Sequence, residues 1–369
     1  MLPSMTRVCN LIARVIWVDP FRAWGGGTAK LIALALIAIL LPGAEAAGRD
    51  FSIVVRSGPF LPVLQEVFLA PFTQATGIAV DTLLWRGGAE RLAAEAGGGG
   101  NWDLVLVNPE ELTVGCTRGW LQKLNFAAIG GHEHYLPQAV SECGVGAYMQ
   151  SIVLSWDRSK LQGSPTWADF WDIAKYPGKR GLRADVVGNL EIALLADGVP
   201  LNDVYSVLRT EDGVRRAFRK LDQLRPYIVW WHDDPQAVEI LRSGEVLMSS
   251  APNNQVALAD GEGGKHFGVQ WAGSLFWVQS WAIMAGSPNV ALALRFLQFF
   301  GDPARQAQLP KLLAVGGLVK GANDRLPPAE QAISPSSASN LRDALGIDPT
   351  FWRENLPRLR QRFEAWLKH

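Results

Sequence analysis

Apolar positions along this chain follow two spacings that take turns, short β-branched runs and longer stretches repeating every three to four residues. Phe51-Ser52-Ile53-Val54-Val55-Arg56 is a β-branched run halted by Ser57-Gly58-Pro59. Over residues 61–76, Leu64, Val67, Phe68, Leu69 and Phe72 recur at helical spacing, which predicts a helix closed by Gly77. A strand is expected at 78–83 and a helix at 89–96. Trp102-Asp103-Leu104-Val105-Leu106-Val107 then reads as a parallel strand buried on both faces. This β-α-β-α-β order predicts an α/β domain.

The same order returns after Gly144. Ile152-Val153-Leu154-Ser155-Trp156 is a strand, and residues 167–174 form a helix capped by Thr166 or Ser164. Helices are expected at 190–196, 201–208, 212–224 and 235–243, and strands at 246–250, 267–269 and 275–283. Residues 290–300 are a strongly apolar helix; past Gly321 the chain is rich in Pro and Ser, and it ends in a helix over 349–368. No internal repeat is present. The pattern predicts two α/β lobes with crossings near Val145 and Ser274, and the length agrees, because single cores stop growing near about 250–300 residues.

The N-terminus carries an export signal. Lys30 precedes an apolar run from Leu31 to Leu41, followed by Pro42-Gly43 and then Ala44-Glu45-Ala46, whose small residues mark a cleavage site. Residues 1–46 are therefore expected to be a signal peptide and Ala47 the mature N-terminus. Spanning a bilayer takes about 20 apolar residues, so an uncleaved anchor is the lesser alternative.

Composition narrows the function by exclusion. Lys+Arg and Asp+Glu balance at 35 each, and no basic cluster points to nucleic acid or an anionic membrane surface. Cys9 lies in the leader. Cys116 and Cys143 remain as an even pair in an oxidising compartment, either as a disulfide or as two free buried thiols.

Nothing in the sequence assembles into catalytic chemistry. Gly261-Glu262-Gly263-Gly264-Lys265-His266 lacks the first glycine and the hydroxyl of a phosphate loop and reads as a turn. His132-Glu133-His134 has no third metal ligand nearby in sequence, and no Gly-x-Ser-x-Gly elbow occurs. Asp233-Asp234 is expected to cap the helix that begins near Pro235. No enzyme activity, cofactor or metal is expected; an exported hydrolase is the alternative from a different class.

The stretch Thr166-Trp167-Ala168-Asp169-Phe170-Trp171-Asp172-Ile173-Ala174-Lys175-Tyr176-Pro177-Gly178-Lys179-Arg180-Gly181-Leu182-Arg183 resembles the periplasmic solute-binding proteins of ABC importers, in their spermidine/putrescine branch. Further matches are Leu190-Glu191-Ile192-Ala193, Ile228-Val229-Trp230-Trp231, Glu142-Cys143-Gly144-Val145-Gly146, Phe276-Trp277-Val278-Gln279-Ser280-Trp281 and Phe351-Trp352-Arg353-Glu354-Asn355. The resemblance implies the two-lobed type II periplasmic-binding-protein fold with a hinge, a periplasmic monomer, a small-molecule ligand and a membrane permease as partner. It sets the expected organisation as 47–145 and 275–320 for the first lobe, 146–274 for the second, and a helical segment at 321–369 packing on both.

For the ligand, the resemblance implies an amine or polyamine. Such a cation needs aromatic faces, worth about 0.5–2 kcal/mol each, and a paired carboxylate at each buried ammonium. By position, Trp277 falls on the aromatic wall and Glu191 on an ammonium-binding carboxylate. Ser57, Phe60 and Asn108 are the first-lobe contribution, and at most one of Trp230 and Trp231 faces the cleft, with Trp231 the candidate. The chain departs from the pattern at Gln279 and Gly188, where polyamine binders carry aspartates, and at Pro252 and Val315, where aromatics are common. Gln279 is expected to hydrogen-bond the ligand without neutralising it. The alternative is the same import role for a solute with one positive charge or none.

Overall fold

The computed structural model describes residues 50–96 and 100–368; the expected signal segment lies outside them. Nine strands form one sheet: β1 (Phe51–Val55), β2 (Val80–Leu84), β3 (Leu104–Val107), β4 (Val145–Asp157), β5 (Arg180–Arg183), β6 (Ile228–Trp231), β7 (Met248–Pro252), β8 (Phe267–Ile283) and β9 (Leu345–Gly346). Their order is β2-β1-β3-β8-β4-β7-β5-β6, with β9 on the edge of β8. β1, β2 and β3 are mutually parallel, as are β5, β6 and β7, while β4 and β8 pair antiparallel to each other between the two groups.

The two central strands are too long for one core. β8 has 17 residues, roughly 55 Å of extended chain. On β4, Val145, Ala147 and Met149 join the core built by Ile53, Phe68, Phe72, Trp281 and Phe296. From Ile152 onward β4 joins a second core containing Phe170, Leu190, Leu221, Trp231 and Phe351. A smaller cluster around Val54, Trp85, Val105 and Ala282 covers the other face of the first lobe. β4 therefore changes core between Met149 and Ile152, and β8 between Leu275 and Trp281, within the strands and not in connecting loops.

This is why the two strands expected at 267–269 and 275–283 are one. The intervening Gln270-Trp271-Ala272-Gly273-Ser274 has no alternation, yet the ladder with β4 absorbs it through a register shift: Ile152 pairs with Leu275 and Leu154 with Gln270. Gly273 sits at φ 76°, a left-handed conformation, and its N–H bonds the carbonyl of Asp343. The helix Pro109–Thr117 has no counterpart in the hydrophobic pattern, because Thr113, Val114 and Gly115 disguise it. Its start was nonetheless written in Asn108-Pro109-Glu110-Glu111, an N-cap followed by proline and an N3 glutamate.

The C-terminal helix Pro349–Leu367 is capped by Asp348, which accepts from the N–H groups of Thr350 and Phe351. It buries Phe351, Trp352, Leu359 and Phe363 in the second core. Cys116, near the end of the Pro109–Thr117 helix, is bonded to Cys143, two residues before β4, with Cα atoms 5.6 Å apart. The bond closes a loop of 27 residues, for which chain entropy gives about 3–4 kcal/mol. Replacing both cysteines by serine should lower the unfolding free energy by about that amount in a urea titration; an unchanged midpoint would contradict it.

Candidate functional site

The strand order places the carboxyl ends of β1, β2 and β3 toward the second lobe and those of β5, β6 and β7 toward the first. Open α/β sheets bind ligands beyond such ends. The residues there are Arg56 and Ser57 after β1, Asn108 to Glu111 after β3, Arg183 to Asp185 at the end of β5, and Asp234 after β6. Where the lobes join, Tyr148 pairs with Gln279 and Gln150 with Trp277, so these four side chains share one face of the ladder.

Each lobe presents its helix at the cleft in the same way. In the first, Asn108 Oδ1 accepts from Glu111 N at 2.8 Å, and Glu111 Oε2 accepts from Asn108 N at 3.0 Å. The same carboxylate accepts from Gly88 N at 2.7 Å and from Arg56 Nη2, which reaches both oxygens at 2.6 and 2.7 Å. One buried carboxylate thus ties together the loops after β1, β2 and β3. Arg56 lies over the Trp85 ring, 4.9 Å from its centroid. Gly87, at φ 83°, leaves room for the pair, since a Cβ there would stand 2.5 Å from Arg56 Nη2.

In the second lobe the helix Asn189–Ala196 starts at Gly188, and Glu191 takes the matching N3 place. Its Oε2 accepts from Gly188 N at 3.0 Å, and its Oε1 from Tyr205 Oη at 2.8 Å and Trp352 Nε1 at 2.7 Å. Glu191 is fully buried. The expected ammonium-binding carboxylate is therefore committed to three protein donors, and it joins the cleft helix to the C-terminal helix.

Free charge at the cleft lies elsewhere. Glu110 is held above the usual carboxylate range by burial and by its neighbours Glu111 and Asp185, with Arg56 opposing. Asp185 belongs to the second lobe, so Glu110 senses a carboxylate from the facing lobe. Asp185 itself meets Arg360 at 3.6 Å. Burial also raises Asp234, while Arg183 pulls it back down. Arg183 is exposed, lies over the Trp231 ring at 5.6 Å, and has no carboxylate within salt-bridge distance among the described residues.

The other residues singled out from sequence fall in several roles. Trp277 is half-buried on the ladder. Gln279 is also half-buried, and its Oε1 is enclosed without a hydrogen-bond partner. Ser57 is exposed, and Phe60 is packed against Tyr148 at 4.6 Å and Trp281 at 6.4 Å. Asn108 spends its carbonyl oxygen on the helix cap. Trp231 is buried in the second core, and its ring is the floor beneath the Arg183 guanidinium. Trp230 stacks edge-on with Phe363 and Trp366. Asp233, not Asp234, accepts from Gln236 N. Among the described residues no group of three or more His, Cys, Asp or Glu side chains could hold a metal.

The charged residues Arg183, Asp185 and Glu110 at these strand ends were not singled out from the sequence. Arg183 and Asp185 sit at and just past the end of a short strand that aromatic-rich motifs overshadow. Glu110 hides in the unrecognised helix start.

Residues 68–334 match the model of the bacterial extracellular solute-binding proteins. The chain belongs to that family. It is 38% identical over 325 residues to a gamma-aminobutyric acid-binding protein of Pseudomonas aeruginosa, covering 88% of this chain and 92% of that one. Its fold superposes on an ABC transporter substrate-binding protein from Bradyrhizobium japonicum with TM-score 0.76 and 26% identity, covering 86% of this chain and 99% of that one. A structure described as the Atu4243-GABA receptor gives TM-score 0.76 at 25% identity, covering 87% and 98%. The protein has the two-lobed type II binding-protein fold and is the substrate-binding component of an ABC transporter, not an enzyme.

The Glu191 network has a pH signature for this solute-binding protein. Burial pushes the Glu191 carboxyl up, against the hydrogen bonds from Tyr205, Trp352 and Gly188. A carboxyl whose pKa is higher folded than unfolded stabilises the fold most below the unfolded value, about 4.3, and loses that contribution as pH rises through the folded value. Glu191→Gln removes the titration. The wild-type minus variant difference in unfolding free energy should therefore shrink as pH rises from about 4.5 toward neutrality; a difference independent of pH would contradict it.

Proposed function

We propose that the protein captures a small ω-amino acid of the γ-aminobutyrate type and delivers it to the membrane permease. The observation that carries this reading is the mixed charge of the cleft. Asp185 of the second lobe raises Glu110 of the first, and Arg183, two residues before Asp185 at the end of β5, is a guanidinium with no carboxylate within salt-bridge distance among the described residues. A zwitterion with separated charges needs that combination. A polyamine needs carboxylates at every ammonium and is repelled by a free arginine. Gln279 is neutral where polyamine binders carry aspartate, and Glu191 is occupied by protein donors. The names of two relatives, which specify γ-aminobutyrate, support the same reading.

In this account the ligand carboxylate takes the planar fork of Arg183, a geometry suited to bidentate pairing. The ammonium sits between Glu110 and Asp185, with the alkyl chain against Trp277. Glu110 and Asp185 repel each other across the cleft, and a cation between them reverses that. The ligand thereby binds the closed arrangement better than the open one, which closure requires.

Calorimetric titration tests this directly. 4-Aminobutanoate should bind and putrescine should not, and Arg183→Met should weaken 4-aminobutanoate by about 10- to 150-fold, the cost of hydrogen bonds to a charged group. Putrescine binding alone, or an Arg183→Met variant of unchanged affinity, would overturn the reading. The ligand's ammonium favours ionised Glu110, so binding releases protons and affinity should fall as pH drops through the raised Glu110 value. A flat pH profile would remove Glu110 from the ammonium site.

A further inference from the structure

We infer that Glu111 is a positioning residue that sets ligand selectivity by withholding the Arg56 guanidinium from the cleft. This rests on the ω-amino acid reading above. Arg56 follows β1 directly and lies close enough to Glu110 to influence its titration, so it flanks the proposed ammonium site. Left unpaired, it would offer a second anion-binding fork on the first lobe. The structure pairs that guanidinium instead: a single nitrogen, Arg56 Nη2, meets both Glu111 oxygens at 2.6 and 2.7 Å.

The arrangement is built to persist. The Glu111 side chain is 6% exposed and that of Arg56 31%. Glu111 is held from its other side by the N–H groups of Asn108 and Gly88. The Trp85 ring supports Arg56, and Gly87 admits the pair where any side chain would collide with it. A carboxylate gripped by two backbone N–H groups cannot swing away when a ligand arrives.

The consequence is chemical. L-Glutamate is 4-aminobutanoate with a second carboxylate on the carbon that bears the ammonium. Placed as proposed, that second carboxylate would approach Glu110 and the Arg56–Glu111 pair. With Arg56 neutralised, it meets only net negative charge and is rejected. Removing the Glu111 charge while keeping its shape frees Arg56 to accept it.

The test is the ratio of the two dissociation constants, 4-aminobutanoate against L-glutamate, in wild type, Glu111→Gln and the double variant Arg56→Gln/Glu111→Gln, with each protein's thermal melting recorded first. Wild type should prefer 4-aminobutanoate by at least about 100-fold. Glu111→Gln should narrow that preference by at least about tenfold, and the double variant should restore it, since neither the cation nor its mask remains. A merely structural role would weaken both ligands together and leave the ratio unchanged. A constant ratio in folded Glu111→Gln, or a ratio that stays narrow in the double variant, overturns the inference while leaving the ω-amino acid reading intact. If wild type binds neither compound, both fail together. Should Glu111→Gln not fold, the double variant decides alone: with no cation left it should reject glutamate as wild type does, and acceptance of glutamate overturns the inference.

Discussion

The antiparallel ladder of β4 and β8 is the constraint on which the rest of the molecule depends. Two strands cross from one core to the other while remaining paired, so the lobes share a continuous hydrogen-bonded connection. A pair of strands with register shifts can twist and bend, because bulges concentrate the deformation locally. The same ladder places Tyr148, Gln150, Trp277 and Gln279 on one face, where the ends of both parallel groups converge. In the proposed binding mode, hinge and ligand wall are thus one element, and a ligand that touches it can feel the angle between the lobes.

Around that ladder each lobe solves one problem with one residue type. A helix start facing a cleft has unpaired N–H groups and a favourable site for negative charge. Glu111 and Glu191, both at N3, satisfy the cap and then extend to a second partner set: Arg56 and Gly88 in the first lobe, Tyr205 and Trp352 in the second. Glu191, read from the sequence as a ligand carboxylate, and Glu111, which the sequence reading did not single out, both anchor helix starts in the structure. In the proposed binding mode the adjacent Glu110, together with Asp185 and Arg183, is left to face the solute.

Legibility followed the physics of each signal. The parallel strands β1 and β3 and the helices over Ala89–Ala96 and Val290–Phe300 were readable, because burial on one or both faces writes itself into apolar spacing. The continuity of β8 was not, since ladder pairing and a left-handed Gly273 carry residues 270–274, not hydrophobicity. The Pro109–Thr117 helix was hidden by its β-branched and glycine residues although its cap was visible. At the site, position relative to a resemblance singled out Trp277 and Gln279, which the structure places on one face of the β4–β8 ladder. It gave no sign that Tyr205 and Trp352, 14 and 161 residues from Glu191, donate hydrogen bonds to its carboxylate. Arg183 and Asp185 became meaningful only once β5 was seen to end opposite Glu110.

The most direct measurement is the crystal structure of the protein grown with 4-aminobutanoate. The expected result is one ligand between the lobes, its carboxylate on Arg183 and its ammonium between Glu110 and Asp185, with Glu111 still bound to Arg56. A ligand lying with its ammonium against Glu191 or its carboxylate on Arg56 would contradict the account.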